Sequence, residues 1–190
     1  MFVTLAVVTM LVWVLALSQP VDVHEATVCN APPPAADPTA PAAQLGEQVT
    51  RADMTDVTPA KLVDTKIRVL NASGQGGQAA EVAGELRDLG FAEPAATNDT
   101  VYANARLECQ GQIRFGPSGR AAAAAVWLVA PCTELFQDQR TDATVDLAIG
   151  TEFSELTHSD DIDAVLASLR PDATQAADPT LLKKIHTAAC

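Results

Sequence analysis

Basic side chains are scarce in this 190-residue chain: 12 Lys and Arg stand against 24 Asp and Glu, a formal net charge of −12, with a pI near 4.4. A surface so acidic repels polyanions, which argues against nucleic acid and against tight adsorption to anionic lipid or anionic wall polymer. Histidine is scarcer still. Its three copies, His24, His158 and His186, lie far apart, no C-x-x-C occurs, and no His stands at metal-ligand spacing. No G-x-S-x-G surrounds Ser73, so neither a zinc site nor a nucleophile elbow is encoded there. No internal repeat is present.

Charge is also missing from residues 1–17, MFVTLAVVTMLVWVLAL. As a helix they reach roughly 26 Å, workable for a hydrocarbon layer of about 30 Å. Ala16 and Ser18 offer a small-residue cleavage site, but Pro20 lies just beyond it. Val12, Trp13 and Val14 make the apolar core long for a signal peptide, so residues 1–19 read as an uncleaved transmembrane anchor. No Lys or Arg precedes the run, and the first Arg is Arg51. Nothing basic holds the following segment in the cytoplasm. The expectation is a single-pass protein of the cell membrane with its C-terminal domain extracytoplasmic.

Pro and Ala dominate the chain after the anchor, and residues 20–64 are assigned to an extracytoplasmic stalk, too poor in large apolar side chains to fold. From residue 65 the pattern changes. Ile67, Val69 and Leu70 begin a strand; Ala79, Val82, Ala83, Leu86 and Leu89 share a helical face that Gly90 closes. Phe91 opens a short strand broken at Pro94. Ala105, Leu107, Cys109, Ile113 and Phe115 then alternate with polar residues in one long half-buried strand, with a bulge or break at Gly111. RAAAAAVWLVA, residues 120–130, is a helix stopped by Pro131. Val145, Leu147 and Ile149 form a last strand, and helices follow over about 160–169 and 179–188. The order β-α-β-β-α-β predicts an α/β (α+β) fold, a two-layer ferredoxin-like sandwich with extra C-terminal helices, over residues 65–190.

The four cysteines, Cys29, Cys109, Cys132 and Cys190, form an even set in an exported protein and read as two disulfides, for which three pairings exist. Cys109–Cys132, tying neighbouring elements of one fold, is preferred, which leaves Cys29–Cys190. A closed loop of about 24 residues is worth on the order of 3 kcal/mol.

Gly74, Gly76 and Ala79 fit G-x-G-x-x-A between strand and helix, and Glu93 falls near the offset of a ribose-binding acid. The remaining parallel strands of a dinucleotide fold are missing, however. The glycines read instead as positions for positive φ and close helix–strand packing, and no cofactor is expected. The run VLNASGQGGQAAEVAGELRDLGF resembles the signature of the LytR C-terminal domain family at Val69, Asn71, Ser73, Gly74, Gly77, Ala79, Leu86, Gly90 and Phe91. The second half, GQIRFG, the Ala-rich helix and TVDLAIGTEF, is similar too, so the likeness spans about residues 66–153. The resemblance implies an envelope role. In this family the domain often trails a wall-polymer transferase domain of the LytR-CpsA-Psr type, but nothing like that arginine-rich domain is present, so no catalytic residue is carried over.

The remaining polar groups read as structural. In THSDDID, His158, Asp160, Asp161 and Asp163 could gather a cation, but the preferred reading has Thr157 or Ser159 cap a helix whose positive end the acids complement; no metal site is assigned. Glu152 and Glu155 read as solvated carboxylates. One surface strip stands out: Arg106, Gln110, Gln112 and Arg114 on the polar side of the long strand, with Arg68, offering donors to a phosphate or a glycan hydroxyl. The expected protein is thus not an enzyme. It is membrane-anchored, supports envelope integrity, and binds a cell-wall or lipid component or an envelope-assembly protein. The alternative is a carrier or sensor of a hydrophobic envelope ligand held between helices and sheet.

Overall fold

The computed structural model describes residues 27–34, 43–187 and 190; the expected anchor at residues 1–19 lies outside them. Among the described residues no helix is long and apolar enough to cross a membrane.

Six strands form one mixed sheet: β1 (Glu47–Val49), β2 (Ile67–Asn71), β3 (Ala95–Asn98), β4 (Gly111–Phe115), β5 (Glu134–Gln137) and β6 (Val145–Ile149). Their spatial order is β1-β5-β4-β6-β2-β3. The helices are α1 (Arg51–Thr55), α2 (Gln78–Asp88), α3 (Arg120–Trp127), α4 (Asp160–Ser168) and α5 (Pro179–His186). β2-α2-β3 and β4-α3-β5 are each a parallel pair of adjacent strands joined through a helix. β6 separates the two units, parallel to β2 and antiparallel to β4. The units therefore run in opposite directions and step outward in opposite directions, so crossovers of one hand place both helices on the same face.

This corrects the ferredoxin-like expectation. In that topology the two β-α-β units interleave, whereas here each helix links immediate neighbours. Two strands are also added at one side. β1 lies in the stretch read as stalk, and with it Met54 and Leu62 are fully buried; residues 43–64 belong to the folded unit. β1 and β5 escaped detection because three- and four-residue strands carry too little alternation to register. The long strand expected over 105–115 begins only at Gly111, and β3 starts after Pro94 rather than at Phe91.

The helical face holds the main core. Ile67, Val69, Ile113, Phe115, Leu135, Val145, Leu147 and Ile149 point into it, against buried residues of all five helices. Small side chains let α3 settle closely: Ala122–Ala125 are at most 4% exposed, and Trp127 fills the space at the helix end. The opposite face carries a smaller cluster, Leu70, Ala72, Tyr102, Leu107, Cys109 and Ala148, with Cys29 packed on it. This helix-free face is covered by loop rather than by helix, which is why every residue of β4 and β6 is buried.

Both disulfides form, but in another pairing than expected. Cys29 bonds Cys109, with Cα atoms 4.9 Å apart and a sequence separation of 80. Cys132 bonds Cys190, at 5.4 Å and a separation of 58. Nearness in sequence pointed to Cys109–Cys132, but Cys109 belongs to the helix-free side while Cys132 follows α3.

Candidate functional site

The strand–turn–helix at residues 67–91 closes on itself. Asn71 Oδ1 accepts from the Gly74 amide at 3.1 Å and from the Ser73 hydroxyl, and its Nδ2 donates to the Gln75 carbonyl at 2.6 Å. Ser73 is 1% exposed and also bonds Gln78 Oε1 at 2.6 Å. Gln78 Nε2 in turn reaches the Phe153 carbonyl, tying the turn to the chain after β6. The side chains of Asn71, Ser73 and Gln78 are therefore engaged within the protein. Gly74 and Gly77 adopt φ of +79° and +88°, which only glycine takes without strain, but Gly76 does not. A Cβ at Gly76 or Gly77 would meet open space, so the expectation of close helix–strand packing through these two glycines is corrected: backbone conformation at Gly74 and Gly77 is the reason for the motif.

The sheet register brings together only part of the expected strip. Gln112 and Arg114 point to the helix-free face from β4, and Arg68 points there from β2. Arg106 and Gln110 lie in the loop before β4: Arg106 passes over Gly74, and Gln110 lines a separate pocket with Cys132, Glu155 and His158. Nor is the strip solvent-facing, since Gln112 is 1% and Arg114 4% exposed. Sequence reasoning missed the partners that make burial tolerable, Asp99, Asp138, Arg140 and Asp146. Only Asp146 carried a signal, an acid alternating with the core residues of β6.

These residues form two adjoining clusters, which together hold three arginines and three aspartates. Arg68 donates to both Asp146 oxygens, at 2.6 and 2.9 Å. Arg140 bridges Asp146 at 2.7 Å and Asp138 at 2.6 Å. Arg114 bonds Gln112 Oε1 through Nε and Nη2. Its Nη1 lies 2.8 Å from Asp99 Oδ2, a charge contact without the alignment of a hydrogen bond; the other Asp99 oxygen caps the following turn through the amides of Val101 and Tyr102. Burial alone would raise the Asp138 carboxyl, but hydrogen bonds from Arg140 hold it below the usual range. Burial likewise disfavours the Arg140 cation, and Asp138 and Asp146 outweigh that and raise its pKa. Above these clusters opens a shallow pocket of about 300 Å³, bordered by Gln44, Thr97, Asn98 and Thr100. Its lining offers donors from Arg68, Arg114 and Arg140 and acceptors from Asp138 and Asp146. Of the expected residues, Arg68 and Arg114 line it; Arg68 has its side chain half-exposed.

The other polar clusters resolve differently. Ser159 caps α4, accepting from the Ile162 amide, and Asp161 pairs with Lys184 of α5. His158 and Glu155 share the edge of an open pocket of about 340 Å³, while Glu152 is not part of its lining.

The family model described as LytR cell envelope-related transcriptional attenuator (LytR_C) matches residues 64–153, the span from β2 to just past β6. Across 186 residues the chain is 65% identical to the cell envelope integrity protein Cei of Mycobacterium tuberculosis, covering 98% of this chain and 85% of that protein. The chain belongs to the LytR_C family. A solved relative agrees in three dimensions. The crystal structure of the soluble domain of a conserved hypothetical secreted protein from Mycobacterium marinum superposes with a TM-score of 0.77 at 68% identity, over 78% of this chain and all of that one. The signature positions of LytR_C now have physical roles: Asn71 and Ser73 knot the turn, Gly74 and Gly77 supply its left-handed residues, and Val69, Ala79, Leu86 and Phe91 are core. Gly90, at φ +104°, ends α2, and the Phe91 amide bonds back to the Leu86 carbonyl, a left-handed helix stop.

Proposed function

We propose that this chain is a membrane-anchored, extracytoplasmic, non-enzymatic protein that supports the integrity of the cell envelope. It does so by binding an envelope component or a wall-assembly partner at the helix-free face. The observation that carries the reading is the 65% identity, along nearly the whole chain, with a protein named for cell envelope integrity. The Arg–Asp clusters support the choice of face. An isolated hydrophobic unit has no need to bury such groups, and their desolvation is costly unless each is paired, whereas a recognition surface uses fixed donors and acceptors. A carrier of a hydrophobic ligand gains no support from the packing beneath α3, where residues 122–130 are at most 4% exposed.

Deletion of the gene in its native host tests the role. The expected result is raised permeability to detergent and to large antibiotics, restored by the wild-type chain. Unchanged permeability contradicts it. A reporter fused after Cys190 is expected to be active only outside the cytoplasm.

A further inference from the structure

Building on the anchored reading above, we propose that the membrane tether joins the folded unit at Cys29 and holds the helix-free face towards the outer leaflet. Residues 29 and 30 are fixed to that face at several points. Besides the bond from Cys29 to Cys109, the Cys29 amide donates to Glu134 Oε1 at 3.2 Å. Asn30 donates through Nδ2 to the Arg106 carbonyl at 2.9 Å and accepts the Glu108 amide at 2.7 Å. The Tyr102 hydroxyl donates to the Asn30 carbonyl at 2.7 Å. Such a set is redundant for a passing stalk and effective for an attachment point that bears load.

Chain length gives this attachment its consequence. Residues 20–28 separate the expected anchor from Cys29, and whatever their conformation they span at most roughly 35 Å. Were β1 the first fixed element, residues 20–46 would allow roughly 95 Å. The bridge shortens the reach nearly threefold. A unit of about 150 residues has a radius of gyration of about 15 Å, so this leash is no longer than the body it holds and acts from one side of it. The pocket above Arg68 and Arg114 opens on the same side as Cys29. Charge permits the approach: the chain as a whole is strongly acidic, but the pocket is lined by three arginines and two aspartates, so it is not repelled by an anionic leaflet as the remaining surface is.

The test uses the full chain in nanodiscs of phosphatidylcholine and phosphatidylglycerol. An encoded fluorescent amino acid replaces Asn104 on the helix-free side or, in a second sample, Glu85 on α2, and energy transfer is read to acceptor-labelled lipid. Transfer is expected to be higher from position 104 than from 85. In the Cys29→Ser/Cys109→Ser variant it should fall at both positions as the distance limit moves outward nearly threefold. Because that variant can lose its fold, a second one keeps the bridge and inserts about 20 Gly/Ser residues after Pro20; it too should lose transfer. Equal transfer from the two positions, or no loss on lengthening the tether, overturns the inference. A chain that fails to co-float with vesicles overturns the anchored reading as well, which separates the two failures.

Discussion

His186 is 1% exposed and stacks on Trp127 with ring centroids 4.0 Å apart. Neither ring nitrogen has a well-formed hydrogen bond among the described residues, and Arg51 stands over the other ring at 5.1 Å. Burial lowers the pKa of His186, the Thr55 backbone opposes the shift in part, and the Arg51 cation adds to it. The folded state therefore favours the neutral ring. A base whose folded pKa is depressed contributes stability that is full above its unfolded value, about 6.5, and is lost as pH falls from there. Urea unfolding should show a midpoint that drops between about pH 7.5 and 5, and His186→Phe should flatten that slope. An unchanged slope would assign the acid sensitivity elsewhere. On the helix-free face the reverse economy applies. Arg114→Met leaves Asp99 buried without its cation and should cost about 3–5 kcal/mol, whereas Arg114→Met with Asp99→Asn should recover much of it. Arg68→Ala, at a half-exposed site, should change stability by less than about 1 kcal/mol; thermal unfolding distinguishes the three.

At the scale of elements, the turn between β2 and α2 is a hydrogen-bonded knot, and the glycines there and after β6 are needed for different reasons. Gly77→Ala meets no neighbour, so its cost is that of a left-handed residue, about 1 kcal/mol. Gly150→Ala would drive a Cβ into the Cys109 carbonyl after β6, and the larger loss, about 2 kcal/mol or more, should appear as a lower urea midpoint than for Gly77→Ala. Much of the molecule was legible in the sequence: β2, α2, α3, β6, α4 and α5 all follow hydrophobic periodicity, and Gly90 marks a real end, whereas α3 stops at Trp127, three residues short of the end expected before Pro131. The edges were not. β1 and β5 are too short to show a period, and the alternation of residues 105–110 arises from a loop folded over the sheet, with Leu107 and Cys109 buried beneath it. Arg68, Gln112 and Arg114 could be placed on one face by parity alone. Their burial and their partners depend on strand order, which no local pattern encodes.

For the whole molecule, two long-range disulfides close the fold around the sheet, one on each side. Loops of about 58 and 80 residues each imply about 4 kcal/mol by chain entropy, so reduction should lower the thermal midpoint strongly. Non-reducing peptide mapping should recover Cys29 with Cys109 and Cys132 with Cys190; recovery of Cys109 with Cys132 would contradict the architecture. The claim on which the functional account turns is that the helix-free face, and not the helical one, acts in the envelope. Complementation of the deletion strain tests it most directly, using Thr97→Trp with Arg68→Ala to fill and disarm the pocket, and Glu85→Ala on α2 as the control. With both variants folded and exported at wild-type levels, the control should restore the permeability barrier and the pocket variant should not. Full restoration by the pocket variant would contradict the account.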